Sequence, residues 1–232
     1  MNSNLRDVPV WDAPVRMFHW LLVASFAGAW LSAESERWQW VHATLGYTMA
    51  ALVGFRIAWG LVGTRHARFA AFVRGPGAAG RYLAALLKGR PEQHAGHNPA
   101  GALAIVALLV LVGVTAATGV ATYNDLGGEW LEELHEGAAN TLIALVIVHL
   151  IGVVVGSLSH GENLVRAMIT GRRRAPRSAA IDSPRRTIAA LMLVMTLGFW
   201  ALQWHSAPAA GDAQHAASRH AHHGDADRDD DD

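Results

Sequence analysis

The stretch ELHEGAANTLIALVIVHLIGVVVGS, residues 133–157, decides the fold. It is a long apolar segment whose only histidines are His135 and His149, 14 residues apart. At about 1.5 Å rise per residue, that spacing is roughly 21 Å along a helix. At about 100° per residue it returns to nearly the same helix face. Because ionisable residues within membrane spans are costly and usually functional, the segment predicts one membrane helix that presents a histidine near each side of a bilayer.

The composition predicts a membrane protein built of helices. The chain has 232 residues, of which 52% are hydrophobic and 16% charged, whereas soluble domains carry about 25% charged residues. A membrane span needs roughly 20 apolar residues, and five segments approach this length: residues 13–33, 40–62, 98–122, 133–157 and 187–204. The predicted fold class is therefore all-α, an integral membrane four-helix bundle with an additional C-terminal transmembrane helix.

The charges outside these segments predict the orientation. Six basic residues lie between positions 65 and 90, and seven arginines lie between positions 166 and 186. The connection between the third and fourth segments instead carries Asp125, Glu129 and Glu132 and no basic residue. Because basic loops stay in the cytoplasm, the N-terminus and the basic linker 175–186 are predicted to be cytoplasmic. The acidic connections and the tail 205–232 are predicted to be periplasmic, in a multi-pass protein of a bacterial inner membrane.

Two further features of the sequence concern the first apolar run and the cofactors that the chain can bind. The first apolar run is too long for a cleavable signal, so it is predicted to be a retained span. Cysteine is absent, which excludes disulfides, thiolate-held iron–sulfur clusters and haem attached through cysteine. Any haem must therefore be held by axial side chains and packing alone.

Four histidines match in depth across this predicted topology. His42 and His135, here called the outer pair, lie near the outer starts of the second and fourth spans. His19 and His149, the inner pair, lie toward the cytoplasmic side. Imidazole is a common axial ligand of haem iron, so the pattern predicts two non-covalent haems, each ligated by two histidines. Such a site leaves no open iron position and favours electron transfer over oxygen binding.

Two arginines are candidate partners of the haem propionates, which are anionic and need cations in a low-dielectric setting. Arg56 lies 14 residues after His42, on nearly the same helix face, and Arg16 lies three residues before His19. Positive-inside topology alone would also explain both arginines. The remaining histidines outside the tail, His66, His94, His97 and His160, are predicted to be solvated or to face lipid headgroups.

The sequence resembles the prokaryotic cytochrome b561 family, which is grouped with the b-type cytochrome subunits of nickel–iron hydrogenases. The matching stretches, within residues 8–174, are VWDAPVRMFHW, VHATLGY, FRIAWGLVGTRHARF, GHNPAGALAIVALLVLVGVTAATGV and ELHEGAANTLIALVIVHLIGVVVGSLSHGENLVRAMITGRRR. The resemblance implies a four-helix membrane domain that binds two haem b groups over residues 1–174. The family's motif histidines coincide with His19, His42, His135 and His149, and Arg56 falls within the matching FRIAWG stretch.

This resemblance implies a function in electron transfer. We expect electrons to pass between the quinone pool and a periplasmic or membrane redox protein, such as a cytochrome c or a hydrogenase. Within the family, superoxide:quinone oxidoreduction and anchoring of a hydrogenase are also represented, so the chain is an enzyme only if it turns over quinone or superoxide. The alternative from another class is a haem-free membrane transporter or metal-handling protein. The expected contacts are membrane lipid and quinone, with no nucleic acid.

The C-terminal part departs from the family pattern. The fifth segment, 187–204, and the tail have no counterpart there and could dock a particular partner. The tail contains five His and seven Asp and no large apolar residue, so it is predicted to be disordered. A divalent metal site at His220, His222 and His223 is the less favoured interpretation of this segment.

Overall fold

Long apolar runs form long helices in this protein. The computed structural model describes residues 5–90 and 96–206. The elements in chain order are β1 (Leu5–Pro9), α1 (Ala13–Ser32), α2 (Gln39–Val62), α3 (Phe69–Phe72), α4 (Pro76–Leu87), α5 (Pro99–Tyr123), α6 (Glu129–His160), α7 (Leu164–Thr170), β2 (Arg172–Pro176) and α8 (Arg186–His205). The predicted all-α class is confirmed. Most of the predicted tail and His94 lie outside the described residues.

Within the described residues, four helical segments are long and apolar enough to cross a membrane. They are Glu36–Val62, Pro99–Tyr123, Glu129–His160 and Arg186–His205, and they correspond to the second to fifth predicted spans. The first predicted span does form a helix, α1, of 20 residues. It is less apolar than the other four because Arg16 and His19 lie within its first two turns.

The long helices pack as neighbouring pairs. Helix α1 lies along α2, α5 lies along α6, and α2 also packs on α5. Within the described residues, α6 makes no comparably extended contact with α1 or α2. The two helices that carry His19 and His42 are thus set apart from the helix that carries His135 and His149.

A central layer of apolar side chains closes the middle of this bundle. Its buried members come from α1, α2, α5 and α6: Ala29, Met49, Val53, Val112 and Leu142. Leu142 is the most enclosed, with 1% of its surface exposed. A second buried cluster brings the start of α8 against the bundle, through Met192 beside Phe18, Leu21 and Leu52.

One end of the bundle carries a small sheet that the sequence did not predict. Strands β1 and β2 pair antiparallel, with Leu5 opposite Pro176 and Pro9 opposite Arg172. Residues that follow β2 return to this sheet: the Ile181 amide donates to the Pro9 carbonyl at 2.9 Å, and Ala179 is buried with Val8 and Trp11. We call this the sheet end. The predicted basic linker 175–186 is therefore packed against the N-terminal strand.

The connection between α2 and α5 contains the short helix α4. This helix begins at Pro76, because Gly75 adopts a positive φ of 80° and proline fits the first helical turn. The chain divides into two compact units, and the boundary between them lies within α8, between Met195 and Thr196. All of the candidate site residues lie in the first.

Candidate functional site

The two histidines of the outer pair face each other across the bundle. The ring centroids of His42, on α2, and His135, on α6, are 6.1 Å apart, and the ring planes are inclined by 82°. Both side chains are half-buried. The sequence predicted this pairing from depth alone, and the structure brings these two rings together.

Hydrogen bonds fix the same ring nitrogen in both residues. The Nδ1 of His42 lies 2.9 Å from the carbonyl oxygen of Ala29, and the Nδ1 of His135 lies 2.9 Å from that of Thr115. A carbonyl oxygen can only accept, so each Nδ1 carries the proton and donates it. Each Nε2 therefore keeps its lone pair, the state that metal-ligating histidines adopt when a second residue orients them.

The backbone of α5 makes room for the His135 ring at Gly119. A Cβ atom at this position would lie 2.7 Å from Cε1 of His135 and 3.0 Å from its Nδ1. Such a contact is too short for two unbonded heavy atoms, so any larger residue would displace the imidazole. Thr118 adds a polar neighbour, with its Oγ1 3.3 Å from Nδ1. Neither α5 residue was predictable from the sequence, because only the position of the opposing ring shows that it belongs to the site.

The spacing of the outer pair fits one iron atom between two imidazoles. A metal–imidazole bond is about 2 Å long, and the nitrogen lies about 1 Å from the ring centre, so two such rings have centroids roughly 6 Å apart. The observed 6.1 Å agrees with this value. With both Nδ1 protons on carbonyl oxygens, the donor set suits the axial ligation of haem iron.

The inner pair is oriented differently. His19 and His149 are close enough for their charges to interact, and both are half-buried. The ring of His19 packs edge-on against Trp20 at a centroid distance of 5.1 Å. Its Nδ1 is buried, and within the described residues it has no hydrogen-bond partner. In contrast to the outer pair, no hydrogen bond fixes which nitrogen of His19 carries the proton.

The central layer separates the two pairs at a regular spacing. On α6, Leu142 lies seven residues after His135 and seven before His149. On α2, Met49 lies seven residues after His42 and seven before Arg56. Leu142 and Met49 belong to one buried cluster. Both helices thus follow one pattern. A histidine is followed after seven residues by a buried apolar side chain, and after seven more by a second polar residue, His149 on α6 or Arg56 on α2.

Arg56 is a buried cation with unused donors. Its residue surface is 2% exposed, and its guanidinium lies over the ring of Phe69 at 4.7 Å. The Nη1 atom is buried and has no hydrogen-bond partner among the described residues. Buried charges are paired in stable proteins, so this arginine fits a site that receives an anionic group such as a propionate.

Asp12 links the two helices that hold Arg56 and His19. Its Oδ1 accepts from the Val15 amide at 2.9 Å and caps α1. Its Oδ2 accepts from Trp59 Nε1 at 3.0 Å and from Thr64 Oγ1 at 2.6 Å. The carboxylate is 1% exposed, so it ties the start of α1 to the end of α2. Asp12 was not among the predicted site residues, although it lies in the WDAPVRMFHW stretch.

The prediction that His97 is solvated was wrong. Its ring lies between Trp11, at a centroid distance of 4.4 Å, and Phe72, at 4.5 Å. Its Nδ1 is buried and has no partner among the described residues. Burial, and then the positive charges of Arg56 and Arg173 and the neighbouring His66 and His149, lower the pKa of His97 to about 3. The side chain is therefore neutral at physiological pH.

Arg16 points toward the sheet end. Its Nη1 donates to the Thr170 carbonyl at 3.0 Å, which leaves its Nε buried without a partner within the described residues. The glycine after Thr170 is required here, because Gly171 has a φ of 80° and a Cβ atom would lie 2.5 Å from Arg16 Nη1. Arg16 is thus close to His19 in sequence, but its visible hydrogen bond goes to the end of α7.

The other predicted surface histidines make specific contacts. His66 Nε2 lies 2.8 Å from the Ala179 carbonyl at the sheet end, and His160 Nδ1 lies 2.8 Å from the Gly156 carbonyl one turn back on α6. Both are half-buried. Within residues 5–90 and 96–206, no group of three or more His, Cys, Asp or Glu side chains could hold a metal ion. The three histidines of the predicted tail site, His220, His222 and His223, lie outside this part of the chain.

Comparisons with known proteins identify the family to which the chain belongs. The family described as prokaryotic cytochrome b561 matches residues 10–171. A probable Ni/Fe-hydrogenase B-type cytochrome subunit from Rhizobium leguminosarum bv. viciae is 24% identical over 215 residues, which cover 72% of this chain and 89% of the relative. No solved structure matches the chain significantly. The family match covers both members of each histidine pair and ends before α8.

Proposed function

The chain belongs to the prokaryotic cytochrome b561 family, and we propose that it carries electrons through two bis-histidine haem b groups. Family membership establishes a multi-pass bacterial membrane protein, a b-type cytochrome of electron transfer. It also disfavours the haem-free transporter. The proposal adds the number of haems, their ligands and the route of the electrons.

The geometry of the outer pair is the observation that supports the proposal most. The two imidazoles have centroids 6.1 Å apart, and both Nδ1 atoms are bonded to carbonyl oxygens, so each Nε2 keeps its lone pair for a metal. Haem bound there would supply one-electron redox chemistry, while this chain holds its orientation and sets its surroundings. With both axial positions taken by histidine, oxygen binding is disfavoured.

The inner pair and Arg56 form the second proposed site. His19 and His149 would provide the axial nitrogens, and the unpartnered Nη1 of Arg56 would donate to a propionate. Arg16 is a second proposed propionate partner, through the buried Nε that it keeps beside its bond to Thr170. Two sites about 21 Å apart along α6 would give electrons a path across most of the hydrocarbon core.

The physiological reaction follows from this path. We propose that the protein exchanges electrons with quinone in the membrane and with a redox protein at the outer face. The relative from Rhizobium is described as a hydrogenase cytochrome subunit, which favours a hydrogenase-like partner; a cytochrome c is the other candidate. The N-terminus would lie in the cytoplasm and the tail in the periplasm, as the arginine distribution predicts.

The haem count of the purified protein tests the proposal. A reduced-minus-oxidised visible spectrum with a pyridine haemochrome assay should show two low-spin b haems per chain. His135→Ala and His42→Ala should each remove one haem and spare the same other haem, because both residues belong to the outer pair. His160→Ala, on the same helix as His135, is the matched control and should retain both haems. A wild-type protein with no haem would refute the proposal, and retention of both haems in His135→Ala would refute the pairing.

A further inference from the structure

A cavity of about 200 Å³ opens beside the inner pair, outside the space between the two histidine-bearing helix pairs. Helices α1, α7 and α8 contribute its lining: Ala13, Arg16, Met17, Trp20, Ile169 and Ala189. Five of these six side chains are apolar, and one is a cation. The family match over residues 10–171 covers every lining residue except Ala189, so the contribution of α8 to this cavity is particular to this chain.

We propose that this cavity binds the headgroup of a quinone, and that α8 completes the site. This inference rests on the proposed function, because it concerns where the quinone of that reaction binds. A quinone headgroup is one flat apolar ring with carbonyl oxygens at its edge, attached to a lipid-soluble tail. The cavity must therefore offer apolar walls, a hydrogen-bond donor, an opening to lipid and proximity to a redox centre.

The size and walls of the cavity suit a single substituted ring. Pockets for drug-sized ligands occupy about 300–1,000 Å³, so about 200 Å³ corresponds to a smaller ligand. Ala189 forms the closed side, with 4% of its surface exposed, whereas Trp20 is 39% and Ile169 55% exposed. In a membrane, these two exposed side chains face lipid and leave a path for a long apolar tail.

Arg16 supplies the donor. Its guanidinium carries five N–H groups, and within the described residues it makes one hydrogen bond, from Nη1 to the Thr170 carbonyl. That bond holds the side chain at the cavity wall while the remaining donors stay available. The same group can thus donate to a quinone oxygen while its Nη1 remains bonded to Thr170.

Trp20 connects the cavity to the inner pair. Its indole lines the cavity and packs edge-on against His19 at a centroid distance of 5.1 Å. A ring bound beside Trp20 is therefore separated from a proposed iron ligand by one aromatic side chain. A bound acyl chain would fit the apolar walls equally well, but proximity to His19 would serve it no purpose, which favours a redox-active occupant.

Filling the cavity should slow electron exchange with quinol and leave the haems in place. Ile169→Trp projects a large side chain from an exposed position, so it should fold normally, and Ala189→Leu narrows the cavity from the opposite wall. Val165→Trp is the matched control, because Val165 is 47% exposed on the same helix and does not line the cavity. We expect both filling variants to raise the short-chain ubiquinol concentration for half-maximal haem reduction by roughly tenfold.

Each variant is compared with the wild type for haem content by pyridine haemochrome and for reduction by dithionite, neither of which should change. If the filling variants react with ubiquinol as Val165→Trp does, the site is wrong and the proposed function stands. If even the wild type is not reduced by ubiquinol, the quinone reaction fails and the site fails with it.

A binding measurement that needs no substitution completes the test. Wild-type protein photolabelled with an azido-ubiquinone should carry the label on peptides that contain Met17, Trp20 or Ile169, and excess short-chain ubiquinone should suppress it. Labelling elsewhere, or labelling that excess ubiquinone does not suppress, would overturn the proposal.

Discussion

At the scale of single residues, the buried nitrogen atoms that lack a hydrogen-bond partner within the described residues lie toward the inner side of the candidate site. Arg16, His19, Arg56 and His97 each have a buried nitrogen that lacks a hydrogen bond within the described residues. Such atoms are rare in folded proteins, and each calls for an explanation. A carboxylate-bearing cofactor ligated by the inner pair would accept hydrogen bonds from two of them, Arg16 Nε and Arg56 Nη1.

His97 should make the protein sensitive to acid. Its pKa of about 3 lies below the 6.5 of an exposed histidine. Between pH 6.5 and pH 3, the unfolded chain therefore binds a proton at His97 that the folded protein does not bind. Its contribution to stability is complete above pH 6.5 and is lost as the pH falls toward 3. Between pH 6.5 and pH 5 the loss is about 2 kcal/mol.

Thermal unfolding at pH 7 and pH 5, in wild type and His97→Gln, checks this expectation. Glutamine keeps a polar side chain of similar reach but has no proton to bind, so the variant should lose less stability on acidification. An identical pH dependence in the two proteins would show that His97 does not titrate in this way.

Arg56 should raise the reduction potential of the inner haem, because a nearby cation favours the form with one more electron. Arg56→Leu should therefore lower that potential and change the outer haem less, whereas Arg56→Lys keeps the charge and should have the smaller effect. A spectroscopic redox titration that resolves the two haems measures both shifts. Equal shifts at the two haems would contradict the assigned role.

At the scale of elements, the central layer should hold the two pairs of helices in register. Leu142→Ala removes its most enclosed side chain. Helices in lipid are held by packing more than by the hydrophobic effect, so the cost should be at the lower end for such a change, about 2 kcal/mol. Leu150→Ala, 56% exposed on the same helix, should cost less than about 0.5 kcal/mol.

Unfolding of the two variants in the same detergent provides the comparison. Both should retain the outer pair's haem, because neither residue contacts that site. Equal stability of Leu142→Ala and Leu150→Ala would mean that the layer does not stabilise the bundle.

The long helices were predictable, whereas the sheet end was not. An apolar run of about 20 residues has few alternatives to a helix, so α1, α2, α5, α6 and α8 followed from the sequence. Strands β1 and β2 are five residues each and are separated by more than 160 residues. No local pattern announces such a pairing, since each strand becomes regular only against the other.

The same distinction applies to the candidate site. The outer pair followed from helix periodicity and depth, which act within one element at a time. His97 is enclosed by Trp11 and Phe72, which belong to two other segments of the chain. Because the sequence near His97 contains neither residue, His97 was predicted to be solvated. Gly119 and Asp12 were missed for the same reason.

At the scale of the whole molecule, the arginines predict which end faces the cytoplasm. The chain contains no cysteine, so a single introduced thiol reports its own exposure. Glu34→Cys lies between α1 and α2, and Ser178→Cys lies at the sheet end; both positions are exposed. In intact spheroplasts, a membrane-impermeant maleimide should label Glu34→Cys, and it should label Ser178→Cys only after the membrane is opened. The reverse pattern would invert the proposed topology.

His135 and His149 lie seven residues on either side of Leu142 on one helix. Electron transfer between the two proposed haems would therefore depend on the membrane voltage. His135 and His149, one proposed ligand of each haem, lie about 21 Å apart along the helix, and a hydrocarbon core is about 30 Å thick. An electron that passes from one to the other therefore crosses most of the membrane voltage, which is worth about 2.3 kcal/mol per charge for each 100 mV. A change in membrane voltage would redistribute electrons between the two haems. The transfer would be electrogenic, and its free energy would depend on the size and sign of that voltage.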